Sequence, residues 1–402
     1  MGKPATRYLI NIHYLEIGGA ETALIGLLHS LDYNKTQVDL LVNDPRGELM
    51  RFIPPGVNLL PAPKAYRYIE RPLPETIKAG HVGVAAARLL SKIAYWNYRR
   101  KNNPKDGSAI FGYVGKYVTP ILPSLKSLGE YDVAISFLTP HNIVHKKVRA
   151  AHKACWIHTD YTNIDVDQNL ELRVWEAYDK IVSISADVTV SFLKAFPSLK
   201  EKIVEIGHFL PQDFIRERAR EFSPHEMGYQ GLKLLSIGRF CEAKRLDEMP
   251  YMAAVLSKAG IDFKWYVIGY GPESEREKIM DRIAMLEMSE RVVVLGKRDN
   301  PYPYIKAADL YVQPSRYEGK AITVREAQIL GVPVAITGYA TARSQVTDGI
   351  DGFIGPYETE PFARFLADLI LTPNKLDGVR ENLLAMDFSD PDNLRKFETL
   401  FA

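Results

Sequence analysis

Two carboxylates, Glu318 and Glu326, bracket the turn Gly319-Lys320-Ala321-Ile322 at the head of an apolar-periodic stretch, and the spacing predicts a helix over Thr323–Leu330. The first N–H groups of a helix lack partners within it and attract anions. Acids beside such a start can accept hydrogen bonds from a sugar, whose hydroxyls are donors at fixed spacing. A ligand with hydroxyls at both ends and phosphates between them fits this pattern. Two plainer readings stand beside it. Thr323-x-x-Glu326 has the form of a capping box, which needs no ligand, and Glu318 can be a solvated loop acid.

Gly238-Arg239-Phe240, with Lys244 close behind, follows the apolar run Lys233–Ile237. Glycine lets backbone approach a ligand. Two cations at a strand's end can neutralise a diphosphate, Arg through a planar fork and Lys as a point charge; in isolation they equally describe surface cations. Gly18-Gly19-Ala20-Glu21 follows the first strand as a phosphate-approach loop or a simple tight turn. It lacks the G-x-G-x-x-G spacing of a dinucleotide fold, which weighs against an oxidoreductase. His158 closes the run Lys153–His158, where an imidazole can hold a hydroxyl or stabilise developing charge, or can be structural. Asp165-Val166-Asp167 is a short D-x-D pattern away from any strand end, read as a surface loop. The sequence has no His/Asp/Glu cluster at metal spacing, no nucleophile elbow and no P-loop.

These residues lie at the ends of strands in a regular α/β alternation. Strands are predicted at Tyr8–Tyr14, Gln37–Asn43, Val133–Leu138, Lys153–His158, Lys180–Ser185 and Ile203–Gly207, with helices at Thr22–Leu31 and Val188–Phe196. The pattern restarts at Lys233–Ile237 and continues through Phe263–Ile268, Val292–Leu295, Leu310–Gln313, Pro333–Thr337 and Gly352–Ile354, with helices between. Strand–helix alternation implies parallel sheets covered on both faces. The fold class is therefore α/β, with two doubly wound, Rossmann-like domains facing across a cleft. The polar, charged stretch 211–229 reads as their linker, which gives domains over 1–210 and 228–384.

With 402 residues, 46% hydrophobic and 25% charged, the chain has ordinary globular composition. Fifty-one Lys and Arg against 49 acids give +2, which excludes a globally basic nucleic-acid binder. Cys155 and Cys241 are far apart and form no CxxC, which argues against a disulfide framework or thiolate zinc site and for a reducing, cytoplasmic compartment. No run reaches the roughly 18–20 apolar residues of a membrane span, and the amino terminus has no signal-like core. The segment 64–117 interrupts the first domain with eleven basic residues against three acids, net +8. Val82–Arg100 within it reads as an amphipathic helix carrying Leu89, Leu90, Ile93, Tyr95 and Trp96. Such a helix suits an anionic membrane surface on the inner face of the plasma membrane, or else packs on its domain with a solvated basic face.

Taken together, the motifs resemble GT-B glycosyltransferases of the retaining family 4 (group 1) type. Gly18-Gly19-Ala20-Glu21 is similar to the family's amino-terminal glycine loop, Gly238-Arg239 with Lys244 to its G-R…K diphosphate site, and Gly269-Tyr270-Gly271-Pro272-Glu273 to its G-x-G-P turn. Glu318 to Glu326 matches its E-x7-E motif. The likeness is strongest over 231–355 and leans toward bacterial capsule and exopolysaccharide transferases. Where the family often has Phe-Gly after Glu-Gly, this chain has Lys320-Ala321, and its amino-terminal half matches only at short motifs.

The resemblance implies transfer of a hexose or N-acetylhexosamine from a nucleotide diphosphate sugar, UDP-linked, to a glycan or lipid-linked acceptor in cell-surface polysaccharide synthesis. It implies that Glu326 holds the ribose, that Glu318 lies by the donor sugar, and that Arg239 and Lys244 hold the diphosphate, so that no metal or other cofactor is expected. Gly18, Gly19, Gly269, Gly319, Lys320, Ala321 and Ile322 would line the donor, backbone at Lys297–Arg298 would meet the base, and His158 would contact the sugar. A last helix, about 385–402, would pack back on the first domain. The competing readings are a nucleotide-sugar epimerase or phosphorylase on the same scaffold, and a non-catalytic nucleotide-sugar binder.

Overall fold

Runs such as Leu9-Ile10 and Val133-Ala134-Ile135 are buried on both sides, as central strands of a parallel sheet must be when helices cover both faces. The computed structural model describes residues 5–162, 164–210, 212–318, 321–388 and 391–401. It divides into two units, Met1–Phe209 with Asp390–Ala402, and Leu210–Ser389.

The first unit contains β1 (Thr6–Ile12), β2 (Thr36–Val42), β3 (Val57–Leu60), β4 (Glu130–Ser136), β5 (Arg149–Ile157), β6 (Lys180–Ser183) and β7 (Ile203–Glu205). They form one sheet in the order β3-β2-β1-β4-β5-β6-β7, and its paired neighbours run parallel. The sequence reading has no strand at Val57–Leu60. That strand sits at the sheet edge with Asn58 and Leu59 exposed, so it lacks the continuous apolar signature of a buried one.

The basic segment is mostly helical, with its longest helix at Val82–Asn102, followed by Ala109–Val118. Side chains tie it to the sheet. Arg71 makes a bidentate pair with buried Asp44, Nε to Oδ2 at 2.7 Å and Nη2 to Oδ1 at 3.0 Å. Tyr98 donates to the Val166 carbonyl and Tyr113 to Asp167 Oδ2. Asp167 also caps the helix Gln168–Trp175 by accepting from Leu170 N–H, and Asp165 accepts from Lys105 N–H. The Asp165–Asp167 pattern is thus built into the packing of the insertion.

The segment expected as a linker, 211–229, is part of the second unit. Its helix Gln212–Arg218 buries Ile215, and Ala219 and Met227 join the same cluster with Tyr266, Tyr302 and Tyr304. The sequence reading weighed the segment's charges and missed that these three apolar residues share one side. The carboxyl-terminal region also divides. Met386 and Phe388 pack on the second unit's core, whereas the helix Pro391–Glu398 lies on the first. There Phe397 stacks on Tyr8 at 5.4 Å, and Asn393 Oδ1 accepts from Gly207 N–H at 3.0 Å.

The second unit holds β8 (Leu232–Ile237), β9 (Phe263–Ile268), β10 (Val292–Gly296), β11 (Leu310–Gln313), β12 (Val334–Thr337) and β13 (Phe353–Gly355). The order is β10-β9-β8-β11-β12-β13, with all pairings parallel. Alternate residues serve opposite faces, as strand geometry requires. Leu234, Trp265 and Val312 face a core with the helices Met249–Lys258 and Thr359–Leu371, while Leu235, Tyr266 and Tyr311 face a core with Ile322–Ile329.

Candidate functional site

In the second sheet the strand order reverses between β8 and β11. Ligands of open parallel sheets settle outside the strand carboxyl ends at such a reversal. Gly238 to Lys244 leaves the end of β8, and Pro314 to Glu318 leaves the end of β11, on either side of that point.

Lys244 and Glu318 meet there. Lys244 Nζ is 2.6 Å from Glu318 Oε1. The same oxygen accepts from Ser315 Oγ at 2.6 Å and Gln313 Nε2 at 3.0 Å. Glu318 is therefore held in an ordered network, not a solvated loop. An ammonium has three donors, so Lys244 keeps capacity for a second anion. Gly238 makes room for its stem, since a Cβ there would lie 3.2–3.5 Å from Lys244 carbons. Arg239, on the same loop, is exposed and has no hydrogen bond or ion pair among the described residues.

Glu326 is not part of a capping box. The helix Ile322–Ile329 takes Ala321 as its N-cap, and the Thr323 hydroxyl accepts from Tyr311 OH at 2.8 Å. Glu326 is 3% exposed and accepts from Tyr302 OH at 2.9 Å through Oε1; no described residue bonds its other oxygen. Burial pushes its carboxyl up from 4.5 to about 7, and the Tyr302 hydrogen bond pulls weakly the other way. Tyr311 lies within the fields of both Glu318 and Glu326, which raise its phenol further after the larger effect of burial. The two acids thus share one neighbourhood.

The remaining site residues expected from sequence are spread along the same strand ends. Gly269 follows β9, and a Cβ there would fall 2.0 Å from the Gly238 carbonyl oxygen. Two loops run backbone to backbone at this place, with Phe240 N–H donating to Tyr270 O at 2.8 Å. Lys297 and Arg298 follow the edge strand β10. The Arg298 side chain bonds Tyr304 OH and Glu226 Oε1, and Lys297 Nζ lies 5.3 Å from the Tyr270 ring centre. Ala321 N–H donates to Gln345 Oε1 at 2.9 Å, and Ile322 begins the helix. Gly319 and Lys320 lie outside the described residues.

In the first unit, Gly18 caps the helix Gly19–Ser30 and touches the folded-back Glu21 carboxylate. His158 follows β5, half-buried, its ring 4.9 Å from Phe137 and 6.1 Å from His208. Burial lowers its pKa to about 4, against a smaller raising by a hydrogen bond with the Phe137 backbone. A polar cluster that sequence reasoning missed also sits here. His13, buried at the end of β1, is 3.5 Å from Glu70. Glu70, Arg88 and Lys92 join Ile110 and Phe111 around a cavity of about 210 Å³. Burial raises the Glu70 carboxyl, against a smaller lowering by Arg46 and Arg88.

Gln313, Ser315 and Tyr302 were also missed. The first two sit five and three residues before Glu318 at a strand end, a signal the sequence did contain. Tyr302 is 24 residues from Glu326 and carries no local signal. Among the described residues no group of three or more His, Cys, Asp or Glu could hold a metal ion.

Comparison with known proteins adds the following. Residues 217–383 match the profile described as "Glycosyl transferases group 1". A D-inositol 3-phosphate glycosyltransferase of Catenulispora acidiphila is 26% identical over 230 residues, covering 53% of this chain and 54% of that protein. The amylovoran biosynthesis glycosyltransferase AmsK of Erwinia amylovora is 23% identical over 283 residues, covering 62% of this chain and 68% of that protein. The chain thus spans about half the length of the first of these relatives. Among solved structures, Anabaena Alr3699/HepE in complex with UDP and glucose has a TM-score of 0.67 at 16% identity, covering 98% of this chain and 99% of that one. S. aureus TarM, solved with UDP, has a TM-score of 0.66 at 14% identity, covering 98% and 99%. At these identities the likeness establishes the GT-B fold.

Proposed function

Because residues 217–383 belong to the group 1 glycosyl transferases, we propose that the chain is a retaining glycosyltransferase. It moves a hexose or N-acetylhexosamine from a nucleotide diphosphate sugar to a glycan or lipid-linked acceptor in cell-surface polysaccharide synthesis. The carrying observation is the constellation of Lys244, Glu318 and Glu326 at the strand reversal of the second sheet. Breaking the bond between the sugar's anomeric carbon and the diphosphate builds negative charge on the leaving oxygen. Arg239 and the uncommitted donors of Lys244 neutralise it, which lowers the barrier as preorganised charge does elsewhere. Glu326 accepts from a ribose hydroxyl through its second oxygen, Glu318 from the donor sugar. The acceptor hydroxyl attacks on the leaving-group face, so no pair of glycosidase carboxylates is required.

UDP as the carrier nucleotide is favoured by the fold relatives solved with UDP. The polysaccharide setting is favoured by AmsK and by an O-antigen biosynthesis glycosyltransferase, WclY of Escherichia coli, 24% identical over 161 residues. His158 is our choice for the sugar contact on the first unit, because it directly follows the carboxyl end of β5. We take the cytoplasm as the compartment from the two free cysteines; no described helix is long and apolar enough to cross a membrane.

The test is UDP release from UDP-sugars, with and without EDTA, by the parent and by Glu326→Ala. Release unaffected by EDTA and lost in a folded Glu326→Ala variant is the expected result. Parent-level release by that variant would remove the assigned site.

A further inference from the structure

The helix Val82–Asn102 presents one long apolar stripe that nothing in the first unit covers. Val82, Leu89, Leu90, Ile93 and Trp96 are each between 50% and 60% exposed. Together with Ala86 they recur at helical spacing along a single face, opposite the buried Val84, Ala87 and Ser91. Two more exposed apolar side chains belong to flanking segments. Ile77, on the preceding helix Leu73–Lys78, is 53% exposed, and Ile121 approaches the helix at Gly83. Exposed apolar groups this close together mark a contact surface.

Charge identifies the partner. The helix carries Arg88, Lys92, Arg99, Arg100 and Lys101 and no acid. Of the eleven cations in the whole insertion, only Arg71 and Arg88 are drawn inward, Arg71 to Asp44 and Arg88 to backbone carbonyls. The other nine are exposed. The three acids are engaged: Glu70 beside His13, Glu75 beside Arg71, and Asp106 with Ser108 and Asp165 N–H. A protein partner matching this face would have to be both strongly acidic and apolar. An anionic bilayer surface supplies both properties at once, phosphate outside and hydrocarbon beneath. Trp96 sits at the boundary, with the Arg100 guanidinium 4.5 Å from its ring centre, as an amphipathic indole does at a lipid interface.

We propose that the Val82–Asn102 helix lies in the plane of an anionic membrane surface, with its Val82–Trp96 stripe at acyl depth and its basic residues on lipid phosphates. This goes beyond the transferase reading and does not depend on it.

The experiment is flotation of the full chain with vesicles of phosphatidylcholine alone or with a third phosphatidylglycerol. We expect binding to the anionic vesicles that collapses between about 0.05 M and about 0.5 M salt, as the Debye length shrinks. Arg99→Glu with Arg100→Glu should weaken binding on the order of fivefold or more per charge removed. Ile93→Ser with Trp96→Ser should weaken it on the order of tenfold or more, the loss of buried apolar area. All four positions are exposed, so melting temperatures should hold. UDP release in vesicle-free buffer reports the proposed donor site separately: its persistence in variants that no longer float isolates the failure to this surface. Equal binding to neutral and anionic vesicles, no flotation with either, or variants that float like the parent would each overturn the proposal. So would self-association in sedimentation velocity that Ile93→Ser with Trp96→Ser abolishes while vesicles are ignored, which would assign the stripe to a second copy.

Discussion

Glu326 shows how burial sets the protonation of one side chain. A carboxyl buried with a single phenolic donor prefers its neutral form, hence the rise from 4.5 to about 7. Between those values the folded chain keeps a proton that the unfolded chain releases. Stability from this group is therefore complete below about pH 4.5 and is lost as pH rises through about 7. The full effect is on the order of 3 kcal/mol. Glutamine cannot ionise, so Glu326→Gln should match the parent in denaturant melts near pH 4.5 and exceed it near pH 8. Parallel stability curves across that range would show that Glu326 is not held neutral. The same variant should lose UDP affinity at pH 8, where the parent's carboxylate is the better acceptor for a ribose hydroxyl. Higher stability with weaker binding is the pairing a functional acid produces and a structural one does not.

At the level of elements, the glycine turns separate into two kinds. Gly269 abuts backbone: its missing Cβ would meet the Gly238 carbonyl oxygen at 2.0 Å, and neither loop can yield without moving its strand. Gly18 abuts only the end of the Glu21 side chain, at 2.2 Å, which can swing away. Gly269→Ala should therefore cost about 1–3 kcal/mol, the range for overpacking, and disturb the Arg239–Lys244 loop. Gly18→Ala should cost less than about 1 kcal/mol. Thermal unfolding of the two variants side by side tests this, and the reverse order would contradict it. The elements also show which parts of the molecule were readable from sequence. Buried parallel strands announce themselves as short apolar runs, so β1, β9 and β11 were legible to within a residue or two. The strand Val57–Leu60 was not, because an edge strand half in water needs no such run. The segment 211–229 misled for the opposite reason: its charges outnumber Ile215, Ala219 and Met227, yet those three decide where it packs. The placement of Lys244 and Glu318 after strand ends, and of Glu326 in the following helix, was legible through spacing around glycines. Their partners went unread: Gln313 and Ser315 stand just before Glu318 at a strand end, whereas Tyr302 is far from Glu326 in sequence and carries no local pattern.

For the molecule as a whole, the family match, 217–383, falls inside the second unit, Leu210–Ser389. Every residue proposed for the nucleotide and diphosphate, apart from the Gly18-Gly19 loop, lies within that unit too. The first unit carries the basic insertion, the Glu70 cavity and His158. That division puts the proposed nucleotide and diphosphate contacts in the unit that the family profile matches. It leads to a prediction about where a nucleotide acts. UDP at a hundred times its dissociation constant should stabilise what it binds by about 2.7 kcal/mol. Amide hydrogen exchange resolves such stabilisation segment by segment. Protection by UDP should concentrate in residues 237–245, 296–300 and 321–330, with the strands β9 and β11 following. The helix Val82–Asn102 should exchange at an unchanged rate, because its packing on Ala109–Val118 and its tie through Tyr98 to the Val166 carbonyl involve none of those residues. Protection confined to residues 5–118, with none in 237–330, would place nucleotide binding on the wrong unit for this account. That result would detach the Lys244–Glu318–Glu326 constellation from the donor even if UDP were bound tightly.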